Sequence, residues 1–479
     1  MGTAAPSGPG PAATRRRPRD GDPLGTGELA GLFAEVLEPG DRAVLAVSGG
    51  CDSTALMVLF ADWLADNRRT PAQHTVVTVD HRLRPASASE ARIVARHATA
   101  LGFGHHTLVW DGVKPSTGLQ AAARAARYRL LAGYARERGF GAVMTGHTAD
   151  DQAETLLMRL ARGSGIDGLA AMAPATVLAD DGAPRAGLPE HGQWRMRLLR
   201  PLLAVPRARL RATLESRAIA WQEDPSNGSP AFERARMRAA AGTLAALGLT
   251  RDSLALSARR LQRARAALER AVDAFCEPRA AMVTTAPSGF VRFGGAALRD
   301  QPREIAIRAL LRAVAAVGGG GGRVSLAKLE AVAEGICARE CGAWTLARTK
   351  ITATPASVLI VREAGRTPPP RLALAAGQEA LWDGRFLVRA AGDVASVEVR
   401  ALGPDGVRAA AAAGAACPAA PPGVLEHVPA FYRDGLLIAV PSLGYWVAPE
   451  LRSALTAIFA PICSCNIATA ADAPRRSQL

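Results

Sequence analysis

Six residues, Ser48-Gly49-Gly50-Cys51-Asp52-Ser53, join a short apolar segment to a longer one. The segment before them predicts a β-strand over Ala43 to Val47, and the segment after them predicts a helix that opens at Ser53. Two glycines allow a tight turn that exposes backbone N–H groups, two serines add hydroxyl donors, and the helix presents the positive end of its dipole. The stretch therefore predicts a phosphate-binding loop. It lacks the lysine of a Walker loop, and the plain alternative is a glycine-rich turn with a serine cap.

The same alternation of short β-branched runs and longer helical patterns extends from about residue 28 to residue 223. It predicts an α/β fold in which a doubly wound parallel sheet is wrapped by helices and binds its ligand at the carboxyl ends of the strands. The predicted strands are Ala43 to Val47, Thr75 to Val79, His106 to Trp110 and Ala142 to Thr145. The predicted helices are Ser53 to Ala65, Ser87 to Leu101, Gly118 to Arg138 and Asp151 to Arg162.

Composition divides the chain into four parts. Residues 1–24 have almost no large apolar side chain and predict a disordered basic arm, and residues 25–233 are expected to form the α/β domain. Residues 234–366 predict a mainly helical second domain, with a helix capped by Ser253, helices at Glu304 to Ala316 and Val324 to Ala338, and a closing β-hairpin made of Ala343 to Thr352 and Val358 to Val361. Residues 367–479 read as a linker and a weakly patterned C-terminal region, whose alanine tract at 409–416 fits a helix or a linker.

The charge balance favours a polyanionic partner. The chain has 58 Lys and Arg against 43 Asp and Glu, a net charge of +15, and only Lys114, Lys328 and Lys350 are lysines. Arginine binds phosphate with two parallel hydrogen bonds. The alternative is that a GC-rich genome encodes arginine-rich proteins whatever their function. Seven cysteines without a C-x-x-C pair argue against a disulfide scaffold or a zinc module. The absence of an apolar signal core or membrane span predicts a cytoplasmic protein without membrane contact.

Asp52 does not suit a plain anion site, because a carboxylate beside phosphates is repulsive unless a cation lies between them. A bound Mg²⁺ held by Asp52 resolves this conflict. With its Asp and its two serines, the loop resembles the S-G-G-x-D-S motif of the PP-loop ATP pyrophosphatases, which are adenine nucleotide alpha-hydrolase-like in fold. The resemblance implies that Ser48, Gly49, Gly50, Cys51, Asp52 and Ser53 bind ATP and hold the pyrophosphate that leaves.

A second cluster, residues 146–155 with the sequence GHTADDQAET, falls where the fourth strand gives way to a helix. Asp151 and Glu154 are three residues apart and share a helix face, while His147 stands at the carboxyl end of the strand. One histidine and several acids are suited to holding Mg²⁺ or a substrate ammonium and to accepting a proton. The alternative is a helix N-terminus with capping acids, which explains Asp150 and Asp151 but not His147 together with Glu154.

Further motifs in the same order resemble the tRNA(Ile)-lysidine synthetase branch of the PP-loop family over about residues 40 to 240. The motifs are Asp80-His81-Arg82-Leu83-Arg84, Ala123-Arg124-Ala125-Ala126-Arg127-Tyr128, Arg162-Gly163-Ser164-Gly165, Arg200-Pro201-Leu202-Leu203, Glu223-Asp224-Pro225-Ser226-Asn227 and Arg234-x-Arg236-x-Arg238. One departure is Ala235, which stands where the family commonly has asparagine.

The resemblance implies an enzyme that joins L-lysine to carbon 2 of the wobble cytidine of tRNA(Ile) with a CAU anticodon, through an adenylated tRNA, with ATP and Mg²⁺. Asp52, His147, Asp151 and Glu154 would be catalytic in such an enzyme, and the helical domain would contact tRNA. The resemblance also implies that six arginines contact the nucleotide or the tRNA: Arg124, Arg127, Arg162, Arg234, Arg236 and Arg238. The alternatives are another tRNA-modifying or adenylating PP-loop enzyme and a non-catalytic ATP- or RNA-binding module; a homodimer is compatible with the sequence.

Overall fold

The computed structural model describes residues 19–82, 87–178, 184–185, 196–223, 233–277, 283–285, 287–319, 324–338, 341–363, 365, 368–415, 420–460 and 467–468. The chain divides into two compact units. Unit 1 comprises Met1–Gln152 and Leu199–Phe232, and unit 2 comprises Ala153–Leu198 and Glu233–Leu479. The α/β domain expected over residues 25–233 differs from this division, because residues 153–198 group with unit 2. Among the described residues, no helix is both long and apolar enough to cross a membrane.

The first half of the chain alternates strands and helices. Its elements are α1 (Thr26–Ala34), β1 (Ala43–Ala46), α2 (Cys51–Asp66), β2 (Thr75–Asp80), α3 (Ser87–Ala100), β3 (Gly104–Val109), α4 (Leu119–Glu137), β4 (Ala142–Thr145), α5 (Ala149–Leu160), α6 (Ile166–Leu169), β5 (Ala175–Leu178), β6 (Pro184–Arg185), β7 (Arg197–Leu199) and α7 (Arg207–Ser216). The four predicted strands and four predicted helices are confirmed, with bounds that agree to within two residues.

Unit 1 is built on a parallel sheet in the order β3-β2-β1-β4. The central strand β1 has the sequence AVLA, and Ala43, Val44 and Leu45 are completely buried, as expected for a parallel strand covered on both faces. Helix α2 packs its apolar face into the same core. This arrangement confirms the doubly wound α/β fold and places the ends of β1 and β4 side by side.

The predicted disordered arm requires a correction at its end. Residues 1–18 lie outside the described part of the chain, but Leu24 is buried, and its backbone N–H donates to Thr213 Oγ1 at 2.9 Å. Arg209 Nε donates to the carbonyl oxygen of Asp22 at 2.9 Å. Arg209 Nη2 also donates to the carbonyl oxygen of Pro23 at 3.1 Å. One apolar residue and three hydrogen bonds to α7 therefore hold residues that composition alone assigned to the arm.

The second half of the chain is richer in strands than its sequence suggested. Its elements are α8 (Glu233–Ala239), α9 (Ala241–Ala246), α10 (Arg251–Cys276), β8 (Val283–Thr285), β9 (Val291–Gly294), α11 (Gly295–Arg299), α12 (Arg303–Gly318), β10 (Val324–Ser325), α13 (Leu326–Cys337), β11 (Gly342–Leu346), β12 (Thr349–Ala353), β13 (Ser357–Arg362), β14 (Leu372–Leu374), β15 (Glu379–Trp382), β16 (Phe386–Ala390), β17 (Val397–Ala401), α14 (Gly403–Ala412), β18 (Pro429–Arg433), β19 (Leu436–Val440), β20 (Tyr445–Trp446), α15 (Leu451–Ala454), β21 (Leu455–Phe459) and β22 (Ile467–Ala468).

Three sequence predictions for this half are corrected by the structure. The long helix begins at Arg251 rather than at Ser253, because Thr250 Oγ1 accepts from the Ser253 N–H and acts as the cap. The closing hairpin is instead part of a five-stranded antiparallel sheet in the order β11-β12-β13-β9-β8, in which Ala343 to Thr352 contributes two strands rather than one. The weakly patterned C-terminal region folds into two more sheets, β14-β17-β18-β19-β20 and β15-β16-β21, and much of its alanine tract lies in α14.

Candidate active site

The phosphate-binding loop connects β1 to α2 in unit 1. Gly49 has a φ of +90°, and a Cβ atom there would lie 2.8 Å from Gln222 Oε1, so the turn requires glycine. Gly50 is the N-cap of α2, and no side chain caps the helix. Ser53 Oγ accepts from the Ser48 N–H at 3.2 Å and lies 3.2 Å from Ser48 Oγ, so the two serines brace the loop. The first turn of α2 is left open toward an anion.

Cys51 is the variable residue of this loop, and its environment disfavours the thiolate form of its side chain. Burial raises the pKa of Cys51 to about 11, and the neighbouring charge of Asp52 acts in the same direction. A thiol with this pKa stays protonated at neutral pH and is a poor nucleophile. The residue contributes its backbone to the loop rather than sulfur chemistry.

Asp52 is the most unusual acid of the site. Its Oδ2 accepts a hydrogen bond from Arg207 Nε at 2.8 Å, while its Oδ1 is buried without a hydrogen-bond partner among the described residues. Burial raises the pKa of Asp52 to about 6; Arg207 opposes the rise, and the negative charges of Asp151 and Asp150 add to it. A buried carboxylate oxygen without a partner is costly, and this oxygen is suited to a cation or a donor that arrives with the substrate.

Arg207 contacts three acids of the site and was not among the residues predicted from the sequence. Its Nε donates to Asp52, its Nη2 lies 3.4 Å from Asp151 Oδ1, and its backbone N–H donates to Asp150 Oδ2 at 2.8 Å. Arg207 is the first residue of α7 and follows the Arg200-Pro201-Leu202-Leu203 motif by a few residues. Proximity to that motif was the only signal in the sequence, and among 55 arginines it does not single out this residue.

Asp151 and His147 lie around the start of α5. Asp151 Oδ2 accepts from the backbone N–H of Thr148 at 2.9 Å and from its hydroxyl at 3.0 Å, so this acid also stabilises the helix start. His147 Nδ1 lies 2.8 Å from the hydroxyl oxygen of Thr145. Burial lowers the pKa of His147 to about 3, against the opposing charge of Asp151. His147 is therefore neutral at physiological pH.

Gly146 allows the two loops of unit 1 to meet. A Cβ atom at this position would lie 2.7 Å from the carbonyl oxygen of Asp52 and 3.0 Å from the backbone nitrogen of Ser53. Both neighbours are backbone atoms and cannot rotate away. The glycine that ends the fourth strand thus sets the distance between the phosphate-binding loop and the start of α5.

The remaining predicted residues divide between the two units. Arg124 and Arg127 lie on α4 of unit 1, and the Arg124 guanidinium stands 5.0 Å from the centre of the Tyr128 ring. In unit 2, Glu154 is buried and accepts from Arg238 Nε at 2.5 Å and from its Nη2 at 3.2 Å.

Three more predicted arginines belong to unit 2. Arg162 forms an ion pair with Glu233, and Arg234 and Arg236 lie on α8 beside it in the chain. The structure thus gathers Asp52 and Asp151 around Arg207 in unit 1, with His147 near Asp151. Within unit 2, Glu154 is paired with Arg238, and Arg162 is paired with Glu233.

Comparison with known proteins places this site in a family. A family model described as a PP-loop domain matches residues 27–243. The chain is 49% identical to a tRNA(Ile)-lysidine synthase of Bradyrhizobium diazoefficiens, over 62% of this chain and 79% of that protein. It is 47% identical to one of Rhodopseudomonas palustris, over 66% of this chain and 86% of that protein. A third, from Ruegeria pomeroyi, is 38% identical over 89% of this chain and 95% of its own length. The phosphate-binding loop and these relatives together establish that the chain belongs to the tRNA(Ile)-lysidine synthase family of PP-loop enzymes.

Proposed function

We propose that this enzyme joins L-lysine to carbon 2 of the wobble cytidine of tRNA(Ile) with a CAU anticodon, and thereby switches its reading from AUG to AUA. ATP first adenylates the cytosine carbonyl oxygen and releases pyrophosphate. The lysine amine then displaces AMP. The observation that carries the proposal is the meeting of Asp52, Asp151 and Arg207 beside the open first turn of α2.

In the first step, the loop holds the pyrophosphate that leaves. The backbone N–H groups at the start of α2 and the helix dipole stabilise its negative charge. Arg207 adds a guanidinium whose Nε donates to Asp52, a residue of the same loop, at 2.8 Å. We assign Arg207 to two tasks, namely keeping Asp52 ionised before substrate binds and balancing phosphate charge afterwards.

The residues of the loop fit a bound Mg²⁺. Asp52 Oδ1 is buried with no partner in the described part of the chain, and carboxylate oxygen is the ligand that Mg²⁺ prefers. The described residues contain no group of three or more metal-binding side chains. This agrees with an ion held by one or two carboxylates together with substrate phosphates and water. When bound, the ion would offset charge on the leaving pyrophosphate.

In the second step, the lysine ammonium loses a proton before it attacks. The carboxylates Asp151 and Glu154 are assigned the role of proton acceptor, and His147, whose pKa burial lowers, is assigned a hydrogen bond to substrate in its neutral form. Arg238 makes two hydrogen bonds to Glu154 and is assigned the task of orienting it.

The arginines that remain from the sequence motifs are assigned to the nucleic acid. Arg124 is exposed and Arg127 half-buried on α4, and both positive charges reach His147 electrostatically. We assign Arg124 and Arg127 to phosphate or anticodon-loop contacts near the reacting base. Arg162, Arg234 and Arg236 are assigned to contacts with the tRNA backbone.

The test is incorporation of radiolabelled lysine into a tRNA(Ile) transcript with a CAU anticodon, with ATP and Mg²⁺, against the tRNA(Met) transcript. Label on the isoleucine transcript alone is expected. Asp52→Asn should abolish tRNA-dependent pyrophosphate release while tRNA binding persists, and Glu154→Gln should retain pyrophosphate release but lose lysine transfer. If the wild type released pyrophosphate but did not incorporate lysine, the nucleophile would be a different molecule. If the wild type showed neither pyrophosphate release nor lysine incorporation, the chain would be a non-catalytic module.

A further inference from the structure

Thr145 places a buried hydroxyl directly beside the candidate site. It is the last residue of β4, and its backbone is held in register with Ala46 of β1. Its Oγ1 lies 2.8 Å from His147 Nδ1 and 3.5 Å from the carbonyl oxygen of Leu199. The hydroxyl therefore has two acceptors within reach but only one proton to donate.

The lengths of the two contacts differ enough to decide where that proton lies. Hydrogen bonds donated by a hydroxyl span about 2.5 to 3.0 Å between heavy atoms. The contact with His147 Nδ1 lies within this range, and the contact with the Leu199 oxygen lies outside it. We therefore place the hydroxyl proton between Thr145 Oγ1 and His147 Nδ1. A ring nitrogen that accepts a hydrogen bond carries no proton itself, so the proton of the neutral imidazole lies on Nε2.

The surroundings of His147 favour the neutral ring that this assignment requires. Burial lowers the pKa of His147, Asp151 opposes that effect, and the positive charges of Arg200, Arg124 and Arg127 add to it. A neutral imidazole can carry its proton on either nitrogen, and the hydrogen bond made by one nitrogen selects the tautomer. The ring is only half-buried, so part of it remains accessible to a ligand.

We propose that Thr145 is a positioning residue, which holds His147 in the tautomer with its proton on Nε2 so that this N–H donates to a substrate oxygen that gains negative charge. The role toward substrate rests on the proposed function, whereas the tautomer does not. Thr145 itself acts only through His147.

The lysine-transfer step contains such an oxygen. The amine nitrogen forms a bond to carbon 2 of the cytosine, the bond between carbon 2 and the bridging oxygen breaks, and that oxygen leaves on AMP with the electron pair. The amine proton goes to Asp151 or Glu154, so His147 transfers no proton. An N–H group aimed at the departing oxygen stabilises its growing charge. The opposite tautomer would present a nitrogen lone pair to an oxygen lone pair and would be repulsive.

The experiment uses two variants of Thr145 in the full chain and a matched control. Thr145→Val replaces the hydroxyl by a methyl group of similar size, and Thr145→Ser keeps the hydroxyl. The control is Thr78→Val, because Thr78 is buried on β2 and its Oγ1 lies 3.0 Å from Nε2 of His105 on β3. It removes a threonine–histidine contact of the same kind from a pair without an assigned role.

Two measurements are made on each protein. Nuclear magnetic resonance of ¹⁵N-labelled histidine rings shows which nitrogen of each ring carries the proton, and His147→Gln identifies the signals of His147. Steady-state kinetics of labelled-lysine incorporation give kcat and the KM values for ATP, lysine and the tRNA(Ile) transcript. Melting temperatures are recorded alongside.

In the wild type, Nε2 of His147 should carry the proton and Nδ1 should not. Thr145→Val should shift protonation toward Nδ1 and lower kcat on the order of tenfold, the loss expected from one misplaced hydrogen bond. Its KM values should stay within about twofold of the wild type, because the interaction is strengthened only in the transition state. Thr145→Ser should restore both the tautomer and most of kcat, and Thr78→Val should keep the wild-type kcat.

A proton on Nδ1 of His147 in the wild type would overturn the inference, and this measurement decides the tautomer even where the valine variant fails to fold. An unchanged kcat in folded Thr145→Val, or an equal loss in Thr78→Val, would overturn the positioning role. If the wild type incorporated no lysine while Nε2 carried the proton, the proposed function would fail and the tautomer assignment would stand.

Discussion

Replacing Arg207 by glutamine tests whether this arginine neutralises the phosphate-binding loop. The change removes the 2.8 Å hydrogen bond from Nε to Asp52 and the 3.4 Å contact with Asp151, and it keeps the backbone N–H that donates to Asp150. The first contact dominates, because a separation of 3.4 Å is long for a charged hydrogen bond. The two paired side chains are 28% and 21% exposed. A charge-assisted hydrogen bond in this setting contributes about 2 kcal/mol.

The loss of stability in Arg207→Gln should depend on pH, and the pKa of Asp52 determines whether the loss grows or shrinks as the pH rises. This pKa is about 6 in the fold, above its ordinary value of 3.8, so the contribution of Asp52 to stability declines as the pH rises from about 4 to 6. Without Arg207 the pKa rises further and the decline continues to higher pH. The variant is therefore most destabilised near pH 8 and approaches the wild type near pH 5, where Asp52 is protonated in both.

The assay is the melting temperature in metal-free buffer with a chelator. About 2 kcal/mol corresponds to a fall of roughly 4 to 8 °C for a unit of this size. Arg217→Gln is the matched control, because Arg217 is the C-cap of the same helix and pairs with Asp62, with side chains 30% and 31% exposed. Because its ion pair has similar exposure, the control should lose a similar amount of stability, but that loss does not depend on the protonation of Asp52. Equal melting temperatures for Arg207→Gln and the wild type at pH 8, or an equal loss at pH 5, would refute the reasoning.

Two further substitutions test the packing of unit 1. Gly146→Ala places a methyl group 2.7 Å from the carbonyl oxygen of Asp52, and it should cost about 1 to 3 kcal/mol and weaken ATP binding, measured by calorimetry. Gly133→Ala, with open space around its Cβ on α4, should leave ATP binding unchanged. His74 accepts the Ala43 N–H on Nδ1 and has a pKa lowered to about 4 by burial, so stability should fall by about 2 to 3 kcal/mol as the pH drops from 6.5 to 4. His74→Gln should flatten that part of the profile, and an unchanged pH dependence of melting would contradict the assignment.

The sequence predicted the parts of the fold whose signals are local. The loop at residues 48–53 and strand β4 were found because composition, length and flanking residues agree within a short window. Strands such as β14 and β20, with three and two residues, are too short to show an alternating pattern, so the C-terminal sheets were missed. Arg207 was missed for a different reason. Its role arises where α7 meets the loop in three dimensions, and no spacing in the chain records that contact.

The high arginine content of this chain supports nucleic-acid binding only after the arginines that form ion pairs within the fold are set aside. Arg209 is buried against α1 and binds Glu28 through both terminal nitrogens at 2.8 Å, and the completely buried Arg385 donates to Asp383 at 2.8 Å. Such residues serve the fold, because a buried guanidinium held by a carboxylate is not accessible to a phosphate. The net charge of +15 counts these buried arginines equally with the arginines at the surface. The inference of a polyanionic partner therefore rests on arginines at the surface, such as Arg124 and Arg259, and not on the total number of arginines in the chain.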